Sequence, residues 1–212
     1  MTNGSNIISG VPLHEFRPRT LEQAQGFPRK IHYACGLNVK DGWLNVDNFD
    51  HDFLWHLSLS GVPPRIAENV YKLDLLQRHP FPNNTFDYAF CEDFIEHIDQ
   101  KNAILFLSEV LRTLKPDGVL RLSSPSLEGV MERHFQSVGF DAVIENHESA
   151  YTRWGHLHFF SYASMETVAL WLGFRKCHAC VCHESLHHEL QKLETRAEQA
   201  EYKINLYVEL TK

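Results

Sequence analysis

A glycine and a carboxylate stand eleven residues apart near the start of the chain, each after a short apolar segment. Gly36 follows the segment Ile31 to Ala34 through Cys35, and Asp47 ends the segment Trp43 to Val46. A glycine just after a strand lets the backbone approach a ligand closely, because it has no Cβ. A carboxylate at the end of the neighbouring strand can accept hydrogen bonds from both hydroxyls of a ribose. The pair therefore predicts a nucleoside site.

The spacing of this pair argues against a dinucleotide such as NAD. The dinucleotide-binding pattern has three glycines in the turn and an acidic residue about 20 residues further on. Here Gly36 is the one glycine of the turn, and the short interval to Asp47 leaves little room for a full helix. A nucleoside without a pyrophosphate fits better, and a nicotinamide oxidoreductase is disfavoured.

Histidines and cysteines later in the chain could bind a metal or a substrate. His156 and His158 alternate as on a strand, so both are expected on one side of the chain, either facing substrate or packed. Residues 177–183 (CHACVCH) form one cluster, whereas structural zinc sites pair two separated ligand hooks. Strand alternation also places Cys177 and Cys180 on opposite faces. We therefore expect buried thiols there and no metal.

Composition and charge restrict the class of protein. The chain has 212 residues, of which 43% are hydrophobic and 22% charged, as in one globular domain. A net charge of −7 disfavours a nucleic-acid partner, because phosphate backbones are bound by basic surfaces. No apolar run approaches the roughly 18 residues that span a bilayer, and Met1 to Gly10 lacks a signal pattern. These features predict a cytoplasmic protein with no membrane partner.

Short apolar strands alternate with helical segments along the chain, which predicts an α/β fold with a parallel, doubly wound sheet. The predicted strands are 31–34, 43–46, 69–73, 86–91, 119–122, 174–182 and 204–210. Two helices are predicted, Gln100 to Leu114 and a second one that begins at Ser161 or Ser164 and runs through Leu172. Leu186 to Ala200 is predicted to be a solvated helix whose leucines could join a homodimer contact.

Two segments are predicted to lie beside this sheet without belonging to it. Residues 1–29 are polar and broken by prolines, which is typical of an arm or lid. The irregular segment 127–158 follows the fifth strand and would sit over the same sheet edge as the nucleoside site, where a substrate could bind.

The order and spacing of five segments resemble the class I S-adenosylmethionine-dependent methyltransferases, in the type 11-like branch with a short first motif. The segments are IHYACGLNVKDGWLNVD, YKLDLL, PFPNNTFDYAFCEDFIEHI, LSEVLRTLKPDGVLRLSSP and FFSYASMETVALWLGF. The resemblance implies a Rossmann-like, doubly wound sheet of seven strands, mostly parallel with an antiparallel last strand. It also implies a methyltransferase domain over residues 30–212.

The first motif of this resemblance implies roles for four residues. Ala34, Cys35 and Gly36 would approach the methionine part of the cofactor, S-adenosylmethionine, and Asp47 would hold the ribose hydroxyls. The usual turn is Gly-Cys-Gly, so Ala34 departs from the pattern and one glycine's conformational freedom is lost.

Two later motifs imply the rest of the cofactor site. Asp74 would accept a hydrogen bond from the exocyclic amine of adenine, with Leu75 beside the ring. Cys91, Glu92 and Asp93, at the end of the fourth strand, would face the methionine end and the methyl group.

Methyl transfer from a sulfonium is an in-line displacement in which the cofactor carries the difficult chemistry. An acceptor hydroxyl or protonated amine needs a base, and His97 is the candidate, because imidazole titrates near neutral pH. The alternatives are that His97 is a packing residue, or that Glu92 and Asp93 act as bases or orient substrate. The sequence thus predicts methyl transfer to a small-molecule acceptor; the alternative is a catalytically inactive nucleoside- or S-adenosylmethionine-binding module that serves as a partner subunit.

Overall fold

The computed structural model describes residues 7–8, 11–12, 19–21, 26–36, 38–48, 70–137, 139–196 and 203–212 of the chain. Most of the predicted arm or lid over residues 1–29 lies outside these ranges, as does the segment 49–69 between the second and third predicted strands. Two short strands near the start of the chain, Ile7–Ile8 and Val11–Pro12, pair with each other in antiparallel orientation.

Seven strands form one sheet. They are β1 (Lys30–Tyr33), β2 (Leu44–Asp47), β3 (Val70–Lys72), β4 (Phe86–Glu92), β5 (Leu114–Pro125), β6 (Lys176–Ala179) and β7 (Asn205–Thr211). Their order across the sheet is β3-β2-β1-β4-β5-β7-β6. The pairs from β3 to β5 are parallel, and β7 runs antiparallel to both of its neighbours. The predicted seven-stranded sheet with an antiparallel last strand is therefore confirmed.

Four α-helices lie among the described residues. They are α1 (Gln100–Thr113), α2 (Leu127–His134), α3 (Phe140–His147) and α4 (Tyr162–Leu172). A π-helical turn (Glu148–Thr152) continues α3, and two 3-10 turns occupy Ile95–His97 and His188–Leu190. Within the described part of the chain, every helix is too short or too polar to cross a membrane.

One face of the sheet is covered by α1 and α4, as the apolar spacing predicts. Phe106, Leu107 and Val110 of α1 and Met165 of α4 belong to one buried core with the inward residues of the strands. The N-terminus of α4 is fixed by a capping box, in which the Ser161 side chain accepts from the next turn's backbone. The predicted boundaries of α1 are confirmed to within a residue. Of the two caps predicted for α4, the structure has Ser161, and the predicted end at Leu172 is confirmed.

The other face is covered by the irregular segment 180–196, and the prediction of a solvated helix over Leu186 to Ala200 is wrong for 186–196, the part of it that the structure describes. Leu190 and Leu193 pack with Trp43, Phe90 and Val119 in a second core, where Leu190 is fully buried. A helix lying on this face would turn some of the segment's charged side chains toward the apolar sheet. The observed chain lies against the strands and buries Leu190 and Leu193, whereas Leu186 is 89% exposed.

A buried ion-pair cluster holds this segment to the sheet. Arg121 of β5 is fully buried and bonds Glu194 at 2.7 Å and Glu209 at 3.4 Å. Its guanidinium also donates to the backbone carbonyls of Val181 and Glu184 at 2.8 and 2.9 Å. Because nearly every donor of this buried cation has an acceptor, the irregular segment is fixed without regular secondary structure.

Candidate active site

A cavity of 500 Å³ opens at the carboxyl ends of β1, β2 and β4, and we call it the first cavity. Seven of the residues predicted for the site line it together: Ala34, Cys35, Gly36, Asp47, Glu92, Asp93 and His97. In a parallel sheet the carboxyl ends of neighbouring strands meet at one edge, which explains how motifs nearly 60 residues apart converge.

The carboxylate of Asp47 is fixed at the end of β2 by two backbone amides. Its Oδ2 accepts from the Gly36 amide at 2.8 Å, and its Oδ1 accepts from the Asn48 amide at 2.7 Å. These two hydrogen bonds fix the orientation of the carboxylate at the edge of the first cavity. The glycine and the carboxylate that first suggested a nucleoside site are thus in direct contact.

The turn after β1 has unusual backbone geometry. Ala34 has a φ of +49°, in the left-handed region where an alanine costs roughly 1–2 kcal/mol relative to its ordinary conformations. This is the position at which the resembling family has glycine, so the departure seen in the sequence coincides with a strained residue. The next residue, Cys35, has a buried thiol, and burial followed by the charge of Asp47 raises the pKa of that thiol well above its usual value. Cys35 therefore contributes a neutral side chain.

The end of β4 is joined to the returning segment by its carboxylates. Glu92 accepts from the Thr195 amide at 3.0 Å and from the Thr195 hydroxyl at 2.7 Å. Asp93, with a φ of +49°, pairs with Arg196 at 3.2 Å. Thr195 and Arg196 also line the first cavity, and sequence reasoning missed both, because they fall in the segment predicted to be a solvated helix.

Three other lining residues were also missed, and for different reasons. His32 lies within β1 and is 1% exposed, and Asn38 lies in the turn that follows. Phe94 follows the carboxylates of β4. Strand alternation places His32 on the face opposite Ile31 and Tyr33, which was the available signal; nothing in the sequence distinguishes Asn38 or Phe94.

Three predicted site residues do not line the first cavity. Asp74 is exposed after β3, and its Oδ1 accepts from the Leu76 amide at 3.0 Å. The side chains of Leu75 and Cys91 belong to the main core, and burial raises the pKa of the Cys91 thiol well above its usual value. Only the backbone of Leu75 and Cys91 could therefore face a ligand.

A second cavity, of 710 Å³, adjoins the first, and Asp93, His97 and Arg196 line both. Most of its wall comes from the segment 127–158, including Arg133 and His134 of the α2 end and Trp154 after the π-helical turn. The backbone amide of Leu157 donates to the Glu96 carbonyl at 2.8 Å, which ties this segment to the turn that carries His97.

Glu96, His97 and His156 meet in the second cavity. The Glu96 carboxylate is 1% exposed, receives a hydrogen bond from Ser124 Oγ at 3.0 Å and lies 3.8 Å from His97 Nε2. The rings of His97 and His156 are 4.9 Å apart, and His156 Nδ1 donates to the Ala150 carbonyl at 2.8 Å. His158, the other histidine of the predicted pair, does not line this cavity.

Burial shifts the proton affinities of all three groups toward their neutral forms. It raises the pKa of Glu96 to about 8, with a further contribution from Asp93. Burial and the neighbouring His156 lower the pKa of His97, and burial also lowers the pKa of His156. At neutral pH the imidazole of His97 is thus neutral, as a proton acceptor must be.

The cysteines of 177–183 do not gather around one point. Cys177 lies on β6 and Cys180 follows the strand, and burial raises the pKa of both thiols to about 11. Cys182 and His183 approach Glu194, the carboxylate that already pairs with the buried arginine of β5.

The seven strands of this sheet have the order found in the class I methyltransferases. As in those proteins, a cavity large enough for a nucleoside lies at the carboxyl ends of the first, second and fourth strands. A family model described as "Methyltransferase domain" matches residues 61–122. The fold, and this match over part of the chain, are those of a class I S-adenosylmethionine-dependent methyltransferase, a class whose cofactor is S-adenosylmethionine.

The chain is also similar to individual methyltransferases. The chain is similar to "Probable methyltransferase PMT21" of Arabidopsis thaliana, with 33% identity over 99 residues, which is 45% of this chain and 16% of that protein. The chain thus matches about a sixth of the length of this relative. It also resembles the solved S-adenosylmethionine-dependent methyltransferase from Mesorhizobium loti, with a TM-score of 0.54, 14% identity and coverage of 94% and 95% of the two chains. A second solved structure, a methyltransferase from Archaeoglobus fulgidus, is similar with a TM-score of 0.53 and 16% identity, over 89% of this chain and 87% of that chain.

Proposed function

We propose that this chain transfers the methyl group of S-adenosylmethionine to a small-molecule acceptor. The observation that carries the proposal is the wall shared by the two cavities at Asp93, His97 and Arg196. A cofactor in the first cavity would present its methyl group at this wall, and an acceptor in the second cavity would meet it there. Positioning of this kind is the main contribution a protein makes to methyl transfer.

In this proposal the cofactor lies across β1, β2 and β4. Asp47, oriented by its two amide donors, accepts hydrogen bonds from the ribose hydroxyls. The Ala34, Cys35 and Gly36 turn approaches the methionine part through its backbone. Glu92, held by Thr195, sits at the methionine end.

The adenine end of the proposed pose depends on the backbone after β3. Asp74 accepts from the adenine amine and Leu75 offers its backbone beside the ring, since the Leu75 side chain is buried. Cys91 contributes through its backbone in the same way, and Asp93 lies toward the methyl group.

The acceptor is proposed to lie in the second cavity, against the segment 127–158. His97 accepts the proton from an acceptor hydroxyl or ammonium as methyl transfer occurs. Burial lowers the pKa of His97, so its ring is neutral near pH 7. Residues 30–212 form the methyltransferase domain, with residues 1–29 as an arm or lid.

Two experiments test this function. Calorimetry measures the binding of S-adenosylhomocysteine, and an acceptor screen then detects its formation from S-adenosylmethionine. The expected result is cofactor binding with turnover on one class of small molecule. Binding without turnover on any acceptor would instead indicate a binding module, and absence of binding would overturn the site.

A further inference from the structure

We infer that Glu96, His97 and His156 form a binding site for one divalent transition-metal ion on the wall of the second cavity. The ligand atoms of these three side chains all lie within 4.8 Å of one another. Two imidazoles and one carboxylate are a ligand set that suits ions such as Zn²⁺, Co²⁺ and Fe²⁺ and is poorly suited to Mg²⁺ or Ca²⁺. This cluster is not explained by packing, because it brings a buried carboxylate and two imidazoles to the edge of an open cavity.

Two of the three proposed ligands, Glu96 and His156, already have a partner that would orient them. The Glu96 Oε2 atom accepts from Ser124 at 3.0 Å, which leaves Oε1 on the side of His97 Nε2. His156 donates from Nδ1 to the Ala150 carbonyl at 2.8 Å, so its Nε2 has the lone pair that a metal needs. Metal-bound histidines and carboxylates in proteins are oriented by hydrogen bonds of this kind.

The approach of the ligands requires a small movement. Tetrahedral coordination at distances of 2.0–2.2 Å implies about 3.4 Å between ligand atoms, and the His97–Glu96 distance is 3.8 Å. The His97 side chain is 39% exposed and can close this gap by rotation, while Glu96 stays fixed in the interior. The Leu157–Glu96 backbone hydrogen bond holds the two parts of the site together.

The charges around the cluster are mixed: Arg133, Arg153 and Arg196 line the cavity together with Asp93, and Arg196 pairs with Asp93 at 3.2 Å. Glu96 would release its proton to bind the ion as a carboxylate. Three protein ligands also leave a coordination position open toward the cavity, as in catalytic rather than structural metal sites. An ion there would lower the pKa of a coordinated acceptor hydroxyl, a role that rests on the proposed methyltransferase function. In that state the ion, and not the His97 ring, would activate the acceptor.

Two titrations of the chelator-treated chain test metal binding directly. Co²⁺ binding is measured by absorption, and Zn²⁺ binding is measured by calorimetry. One equivalent of Co²⁺ should bind with a spectrum that lacks a thiolate charge-transfer band. The variants Glu96→Gln and His156→Asn should lower the affinity of this equivalent by at least about tenfold. His134→Asn is the matched control, because His134 lines the same cavity but bonds Ser149 outside the cluster, and it should bind Co²⁺ normally.

Three outcomes would overturn the site: no binding by the wild-type chain, unchanged binding in folded Glu96→Gln and His156→Asn, or a thiolate charge-transfer band. That band would assign the ion to the group formed by Cys182, His183 and Glu194. Circular dichroism establishes that each variant is folded. Binding of S-adenosylhomocysteine to the metal-free chain is measured separately, so failure of the metal site and failure of the proposed function give different results.

Discussion

At the scale of single residues, Asp47 is the side chain on which cofactor recognition depends most. Replacement of Asp47 by alanine removes the acceptors for the ribose and leaves the ribose hydroxyls without a charged partner. We expect affinity for S-adenosylmethionine to fall by roughly 1–3 kcal/mol, the usual cost of a lost charge-assisted hydrogen bond. Calorimetry measures this change, with Asp41→Ala as control, because Asp41 is exposed in the turn before β2 and does not line the cavity. Unchanged affinity in Asp47→Ala would contradict the assignment.

His97 should affect turnover more than binding. His97→Asn removes the base while Asn retains a polar side chain of similar size, so we expect turnover to fall about 100-fold, with cofactor affinity nearly unchanged. Steady-state rates with the acceptor found in the screen, together with calorimetry, separate the two effects. His158→Asn serves as control, because His158 lines neither cavity. Equal turnover in His97→Asn and wild type would remove His97 as the base.

The sequence predicted those residues of this site whose positions follow from the pattern of neighbouring residues along the chain. Gly36 and Asp47 were predicted from their positions after two strands, and the structure brings them within 2.8 Å. Glu96 was missed, because its burial depends on Ser124 and on the segment 127–158, which no local pattern links to it. The contact of His97 with His156 was missed for the same reason: the fold, and not the local sequence, makes them neighbours.

At the scale of elements, the segment 180–196 depends on a single buried arginine. Arg121→Met would leave Glu194 and Glu209 buried without a cation, so we expect the free energy of unfolding to fall by about 3–5 kcal/mol. Urea unfolding measures the change. The control is Arg175→Met, which removes an exposed pair with Asp117 and should cost no more than about 1 kcal/mol.

A loss in Arg121→Met no larger than that in Arg175→Met would mean that the buried cluster does not hold the segment. The same cluster explains why the described part of the predicted helix, residues 186–196, does not form an α-helix. Apolar spacing and charge in that stretch suit a helix, but the ion pairs to β5 and the packing of Leu190 against Phe90 are contacts between distant parts of the chain. The strands and α1 were predictable, because their patterns are local and regular.

At the scale of the whole molecule, the strand order that sets the site also encloses an ionisable group between the sheet and its irregular cover. His32 of β1 is 1% exposed, packs 4.9 Å from the Phe90 ring and approaches Asn45 Oδ1 at 3.3 Å. Burial, with a further contribution from the charge of Lys40, lowers the pKa of His32 to about 3. The folded chain therefore keeps this ring neutral at pH values where the unfolded chain binds a proton.

The pH dependence of stability is set by this difference. Since the folded pKa lies below the unfolded value of about 6.5, the unfolded state binds more protons between pH 6.5 and 3, and stability falls as the pH falls through that window. His32 alone should contribute a slope of about 1.4 kcal/mol per pH unit, which His32→Leu removes. Urea unfolding of both chains between pH 7 and 4 gives the slopes, with exposed His178→Leu as control. Parallel curves for wild type and His32→Leu would mean that water or a counter-charge reaches the ring, and that the segment 180–196 does not seal this face of the sheet.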